Sequence, residues 1–197
     1  PDISESEANR MAAGAWIEFL TIKRIVVFRK GNRLLRASLD TTKVEIVDNV
    51  PAEIELTTLS PTGSALAFIH MNELWVADFE AQTVRQLTQS SSEYVRNGKA
   101  DWVYFEEVFS RKWQAYRWSP DGTKLAYQEF DDSGVSKFQV SDHTSVEQEF
   151  EAEFFPKAGE QNPAVRLGVV AITGGDTTWA DTSAYPADDF ILVHFNW

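Results

Sequence analysis

The residues most able to do chemistry are a carboxylate pair, Glu106 and Glu107, inside the stretch DWVYFEEVFSR (Asp101 to Arg111). Two carboxylates held together repel, and one of them takes up a proton unless a cation intervenes. An ammonium group carries three donors and a positive charge, so it can satisfy both. Backbone geometry decides whether the pair can converge. On a strand, neighbouring side chains point to opposite faces. On a helix they lie about 100° apart and can meet at one small group. Asp101 fits an N-cap, and Trp102, Phe105 and Phe109 fall at helical spacing as an apolar stripe. A short amphipathic helix near residues 99–111 is therefore expected, with both glutamates off its buried face. The alternative is an ordinary surface ion pair between Glu107 and Arg111, at i and i+4.

Other chemical candidates carry less. His70, His143 and His194 have no ligand spacing, so no metal is expected, and no motif calls for a cofactor. EFDDSGVSKF (Glu129 to Phe138) contains Asp131 and Asp132 but lacks the spaced oxygen ligands of a calcium loop; it reads as a hairpin turn. EQEFEAEFF (Glu147 to Phe155) reads as an exposed or edge strand. TGGD (Thr173 to Asp176) is not followed by the lysine of a phosphate loop. No Gly-x-Ser-x-Gly elbow occurs in the 197 residues.

The elements that must position the pair are short strands. The first segment, SESEANRMAA, reads as a helix with Ser4 and Glu7 at capping-box spacing and Gly14 as a stop. Short β-like runs separated by turn residues follow it. Ile25 to Val47 aligns without a gap on Ala65 to Leu87. Phe28 meets Phe68, Asn32 meets Asn72, and Leu34 meets Leu74. The offset is about 40 residues, and such a period built from short strands is that of a propeller blade. LSPTGSALAF (Leu59 to Phe68) recurs as WSPDGTKLAY (Trp118 to Tyr127), a turn and the strand it feeds. Ser60 and Ser119 lie about one and a half periods apart, so the chain between them holds more than one blade. The surplus falls between about Thr88 and Trp113, and the glutamate pair thus lies on an insertion between blades. Loops on rigid repeat scaffolds often carry binding groups.

Composition narrows the class. Apolar residues make up 43% of the chain and aromatics 13%, enough for an ordered core. A net charge of −12 argues against a nucleic-acid groove. There are no cysteines, which removes disulfides and thiolate metal sites. No apolar run approaches the roughly 20 residues of a membrane span.

DWVYFEEVFSR, then WSPDGTKLAYQEFDDSGV, then FFPKAGEQNPAVRLGVV, in that order, resemble the N-terminal β-propeller of dipeptidyl peptidase IV and its relatives, the prolyl-peptidase family of serine proteases. The resemblance is specific from about Asn97 to Val170. It implies that Glu106 and Glu107 bind the free α-ammonium of a peptide substrate, so that two residues are removed with Pro or Ala preferred in the second position. It implies that Ser110 lies near the same pocket, and that an arginine from an earlier blade contacts substrate, for which Arg29 and Arg33 are the candidates. Phe105 stands where relatives often carry a third acid, and Phe155 replaces the usual Tyr before Pro-Lys-Ala-Gly.

The family propeller has eight blades. At about 40 to 50 residues per blade, this chain amounts to about four. The expectation is thus an all-β chain: a partial β-propeller of about four four-stranded antiparallel blades over residues 1–197, with a helical insertion. The catalytic α/β-hydrolase domain of the same polypeptide lies outside this chain. Implied partners are peptides with a free N-terminal amine, that hydrolase domain, and a second copy in a homodimer; the implied location is secreted or periplasmic. The alternatives are a non-catalytic propeller that binds a peptide or protein as a scaffold, and a family member that has lost its nucleophile.

Overall fold

A computed structural model describes residues 16–41, 43–90, 92–142, 149–185 and 190–197. The expected capped helix at residues 4–13, Gly14, His143, Glu147, Gln148, Asp188 and Asp189 lie outside the described residues.

Two antiparallel meanders open the chain. The first is β1 (Trp16–Leu20), β2 (Ile25–Lys30), β3 (Arg33–Ser38) and β4 (Val44–Val47). The second is β5 (Glu55–Leu59), β6 (Ala65–His70), β7 (Glu73–Asp78) and β8 (Thr83–Gln86). The repeat holds strand for strand: β2 opens at Ile25 and β6 at Ala65, β3 at Arg33 and β7 at Glu73, one period apart in each case. The middle strands carry most of the buried residues of each meander, in part in the first and almost throughout in the second. The ALAFI run of β6 is completely buried, because both faces of this central strand are covered. Val27, Leu34, Val47, Leu66, Phe68 and Phe79 form one apolar cluster.

The repeated Ser-Pro-x-Gly turn has a common physical cause. Ser60 N donates to Ala65 O at 2.8 Å, Gly63 N to Ser60 O at 2.8 Å, and Ala65 N to Ser60 Oγ at 3.1 Å. The corresponding bonds at Ser119 run to and from Lys124 and Gly122, at 2.9 Å each. Gly63 and Gly122 take φ of 74° and 72°, a region costly for other residues. The buried serine hydroxyl satisfies a strand-entry amide, which is why serine precedes the proline in both copies.

The third sheet contains β9 (Val95–Asn97), β10 (Tyr116–Trp118), β11 (Lys124–Asp131), β14 (Ala164–Ala171) and β15 (Thr178–Trp179). Both β9 and β10 pair with β11. Between β11 and β14, β12 (Lys137–Asp142) and β13 (Glu149–Phe154) form a separate two-stranded hairpin. The chain is all-β with short antiparallel sheets, as expected. Among the described residues the third sheet gains a fifth strand, and the fourth is a hairpin instead of a four-stranded blade.

Two local readings change. Glu129 to Phe138 is not a self-paired hairpin: Asp132 to Val135 turns, with Val135 N donating to Asp132 O at 2.9 Å, and delivers the chain to the β12–β13 hairpin. The stretch expected to start another strand at Asp188 to Trp197 has no strand pairing in its described part. Its backbone is taken by side chains, since Leu192 N donates to the Tyr104 hydroxyl at 3.1 Å and Gln128 Nε2 donates to Leu192 O at 2.8 Å. The strand expected in the stretch from Glu147 is an edge strand as expected: β13 pairs only with β12 among the described residues.

The described residues group into two compact units. One holds the first two sheets with residues 118–125 and 170–176; the other holds residues 90–117, 126–169 and 177–197. Phe68→Ala in the first unit should lower unfolding free energy by about 3–5 kcal/mol, read as a reduced urea midpoint, because the ring is fully buried in that cluster.

Candidate functional site

The glutamate pair sits on an excursion from one edge of β11. Gln128 N donates to Ala115 O at 2.9 Å, and Gly98 N donates to Gln128 O at 2.9 Å. The chain thus leaves this edge at Gly98 and returns at Ala115. A short ladder closes the neck: Ala115 N to Gly98 O, a bridge between Lys99 and Gln114, and Ala100 N to Trp113 O at 2.8 Å.

Inside the neck the chain makes a tight helical turn. Asp101 caps it, with Oδ2 accepting from Val103 N at 2.8 Å and Oδ1 from Tyr104 N at 3.2 Å. Asp101 is fully buried, and burial raises its pKa above the ordinary value, against the lowering effect of the two amides and of Arg96. The turn differs from the expected helix. Residues Tyr104–Val108 form a π turn, and Phe109 N donates to Tyr104 O at 2.7 Å. The wider turn rotates the buried face. Trp102, Phe105 and Phe109 are only half-buried, whereas Tyr104, absent from the expected stripe, is buried. Its ring packs against Phe109 and Phe130, and burial pushes its hydroxyl up to about 12. Phe105 stacks on Trp113 across the neck, centroid to centroid 3.8 Å.

Both glutamates stand off the buried face. Glu106 is partly exposed and Glu107 exposed. Arg111 pairs with Glu106, not with Glu107 as in the alternative from spacing. Its Nη2 and Nε both reach Glu106 Oε1, at 2.6 and 3.2 Å. The physical reason is that the chain leaves the helix: Ser110 and Arg111 have φ of 53° and 64°, so helical spacing no longer applies. This bond raises the Arg111 pKa.

Ser110 lines a cleft of about 330 Å³ with Phe109, Gln114, Arg117, Gln128 and His194, among others; neither glutamate lines it. Arg29, on β2, gives its Nε to Gly31 O at 3.0 Å and its Nη2 to Pro51 O at 2.5 Å. Arg33, on β3, pairs with Asp48 at 2.5 Å. His70 Nδ1 lies 2.6 Å from Glu53 O. No metal-holding cluster occurs among the described residues.

Two further groups escape sequence reasoning. Asp132 is fully buried, and Arg96 Nε on β9 lies 3.3 Å from its Oδ2. A turn aspartate reads as solvated, and nothing local in the sequence marks this one as interior.

Residues 28–197 match the family described as the dipeptidyl peptidase IV (DPP IV) N-terminal region. The chain belongs to this family. It is 34% identical over 137 residues to dipeptidyl peptidase 4 of Felis catus, covering 66% of this chain and 18% of that protein. It is 29% identical over 158 residues to a probable dipeptidyl peptidase 4 of Aspergillus clavatus, covering 77% of this chain and 20% of that protein. The chain therefore spans about a fifth of the length of these relatives. The crystal structure of Porphyromonas gingivalis dipeptidyl peptidase 4 has the same fold, with a TM-score of 0.67 and 24% identity over 87% of this chain and 26% of that one. The fold is a partial β-propeller.

Asp101→Ala should lower stability by about 1–2 kcal/mol through loss of the cap. Hydrogen exchange should speed up selectively at the Val103 and Tyr104 amides.

Proposed function

We propose that this chain is the substrate-gating and substrate-anchoring propeller of a serine exopeptidase that releases N-terminal dipeptides, with Pro or Ala preferred in the second position. Glu106 and Glu107 hold the peptide's α-ammonium. An α/β-hydrolase domain of the same polypeptide supplies nucleophile, base and oxyanion hole. Export from the cytoplasm and assembly as a homodimer go with this reading.

One observation carries it: in a member of this family, two adjacent carboxylates stand at the solvent side of a turn whose base is capped by a buried aspartate. The carboxylates are held by backbone geometry, so ordering them around an incoming ammonium costs little. Glu106 already satisfies a cation, Arg111. A bound ammonium exchanges for that exposed guanidinium, and the negative charge of the turn stays compensated throughout. Glu107 adds the second acceptor that the guanidinium does not use. Ser110, and Arg29 or Arg33, are proposed as secondary substrate contacts.

In the full-length protein, Glu106→Gln or Glu107→Gln should each reduce kcat/KM for unblocked dipeptide substrates by about 10- to 100-fold, the value of one charge-assisted hydrogen bond. Unchanged kinetics in both variants would sink the anchor. Arg111→Ala should lower KM several-fold at low salt, because the competing cation is removed; a raised KM would instead make Arg111 part of the grip.

A further inference from the structure

Beneath the glutamate turn lies a small set of buried charges. Asp101 and Asp132 are each fully inaccessible to solvent. Arg96 serves both: its Nε is 3.3 Å from Asp132 Oδ2, and its charge also acts on Asp101. Asp132 is fixed by its backbone, with its N–H donating to Tyr94 O at 3.0 Å. Arg96 is fixed by the β9–β11 ladder, opposite Phe130. Neither Asp132 oxygen nor Arg96 Nε makes a hydrogen bond among the described residues. Their contact is an ion pair without hydrogen-bond geometry.

The charge count decides the behaviour. Two carboxylates and one guanidinium leave an uncompensated negative charge in a poorly solvated place when both acids are ionised. Protonating one of them restores neutrality. Asp101 accepts two backbone amides and Asp132 accepts none, so the proton goes to Asp132.

We propose that Arg96 and Asp132 are positioning residues for the ammonium anchor, acting through Asp101, so that the charge on Asp132 adjusts how firmly the Glu106–Glu107 turn is held. This inference rests on the anchoring role proposed above. With Asp132 neutral, Arg96 is committed to Asp101, whose carboxylate keeps the cap on Val103 and Tyr104. With Asp132 ionised, it competes for Arg96 and places a second negative charge beside Asp101, and the cap weakens. The groups acting on Asp132 are Arg96 on β9, Asp101 in the turn, Asp131 on β11 and Glu153 on β13. Only Arg96 favours ionisation. Burial above all, then the three acids, push Asp132 up to about 7.

By linkage, an acid whose pKa is higher in the folded state makes the protein most stable below its ordinary value, near 4. That stability is lost as pH rises toward 7. Thermal stability of the full-length protein should thus fall between about pH 4 and 7, and Asp132→Asn, which keeps the shape and removes the titration, should flatten this slope.

The functional test follows KM for an unblocked dipeptide substrate in the full-length protein from about pH 6 to 7.5, with the partial titration of the substrate amine in that window common to wild type and Asp132→Asn and subtracted between them. Wild-type KM should rise by about five-fold, the low end for two coupled sites. Asp132→Asn should remove the rise, with the change in KM and not in kcat. Arg96→Lys, which keeps the charge, should shift the midpoint without abolishing it. If Glu106→Gln raises KM while Asp132→Asn retains the wild-type pH slope, this inference is overturned and the anchor stands. If Glu106→Gln and Glu107→Gln both leave KM alone, both fall.

Discussion

The structure around the candidate site depends on one edge of β11. A strand edge inside a folded protein must have its amides and carbonyls satisfied along its whole length. The short β10 covers part of that edge, and β9 covers the rest. Gln128 marks the junction, bonded to Ala115 on one side and Gly98 on the other. Because two separate segments share one edge, everything between them is forced outward. The glutamate turn is the consequence: an excursion with both ends clamped to the same strand, and so a rigid loop.

Electrostatics then shapes what the excursion can do. The chain is strongly acidic, yet cations are placed locally where carboxylates crowd. Arg111 meets Glu106 at the solvent side, and Arg96 meets Asp132 in the interior. The outer pair is screened and exchangeable. The inner one is neither, so its proton balance bears on the fold itself.

Much of this was legible in the residues. The blade-length offset located β2, β3, β6 and β7, since period-2 burial and turn chemistry are local properties. The surplus between Ser60 and Ser119 located the insertion, and Asp101 was readable as a cap. The buried face of the turn was not. A π turn depends on where the chain must rejoin the neck, so Tyr104 replaced the expected stripe as the inward group. The Glu107–Arg111 spacing misled for the same reason, because left-handed Ser110 and Arg111 end the helical register.

The sequence by itself determined the blade repeat, the turns that feed it, the place of the insertion and the family, because each follows from residues near one another in the chain. Only the tertiary structure decided that Arg111 meets Glu106, that the segment around Leu192 bonds its backbone to Tyr104 and Gln128, and that Asp132 is interior. These outcomes depend on which distant segments share an edge and how much water remains between them, and neither is written in local spacing.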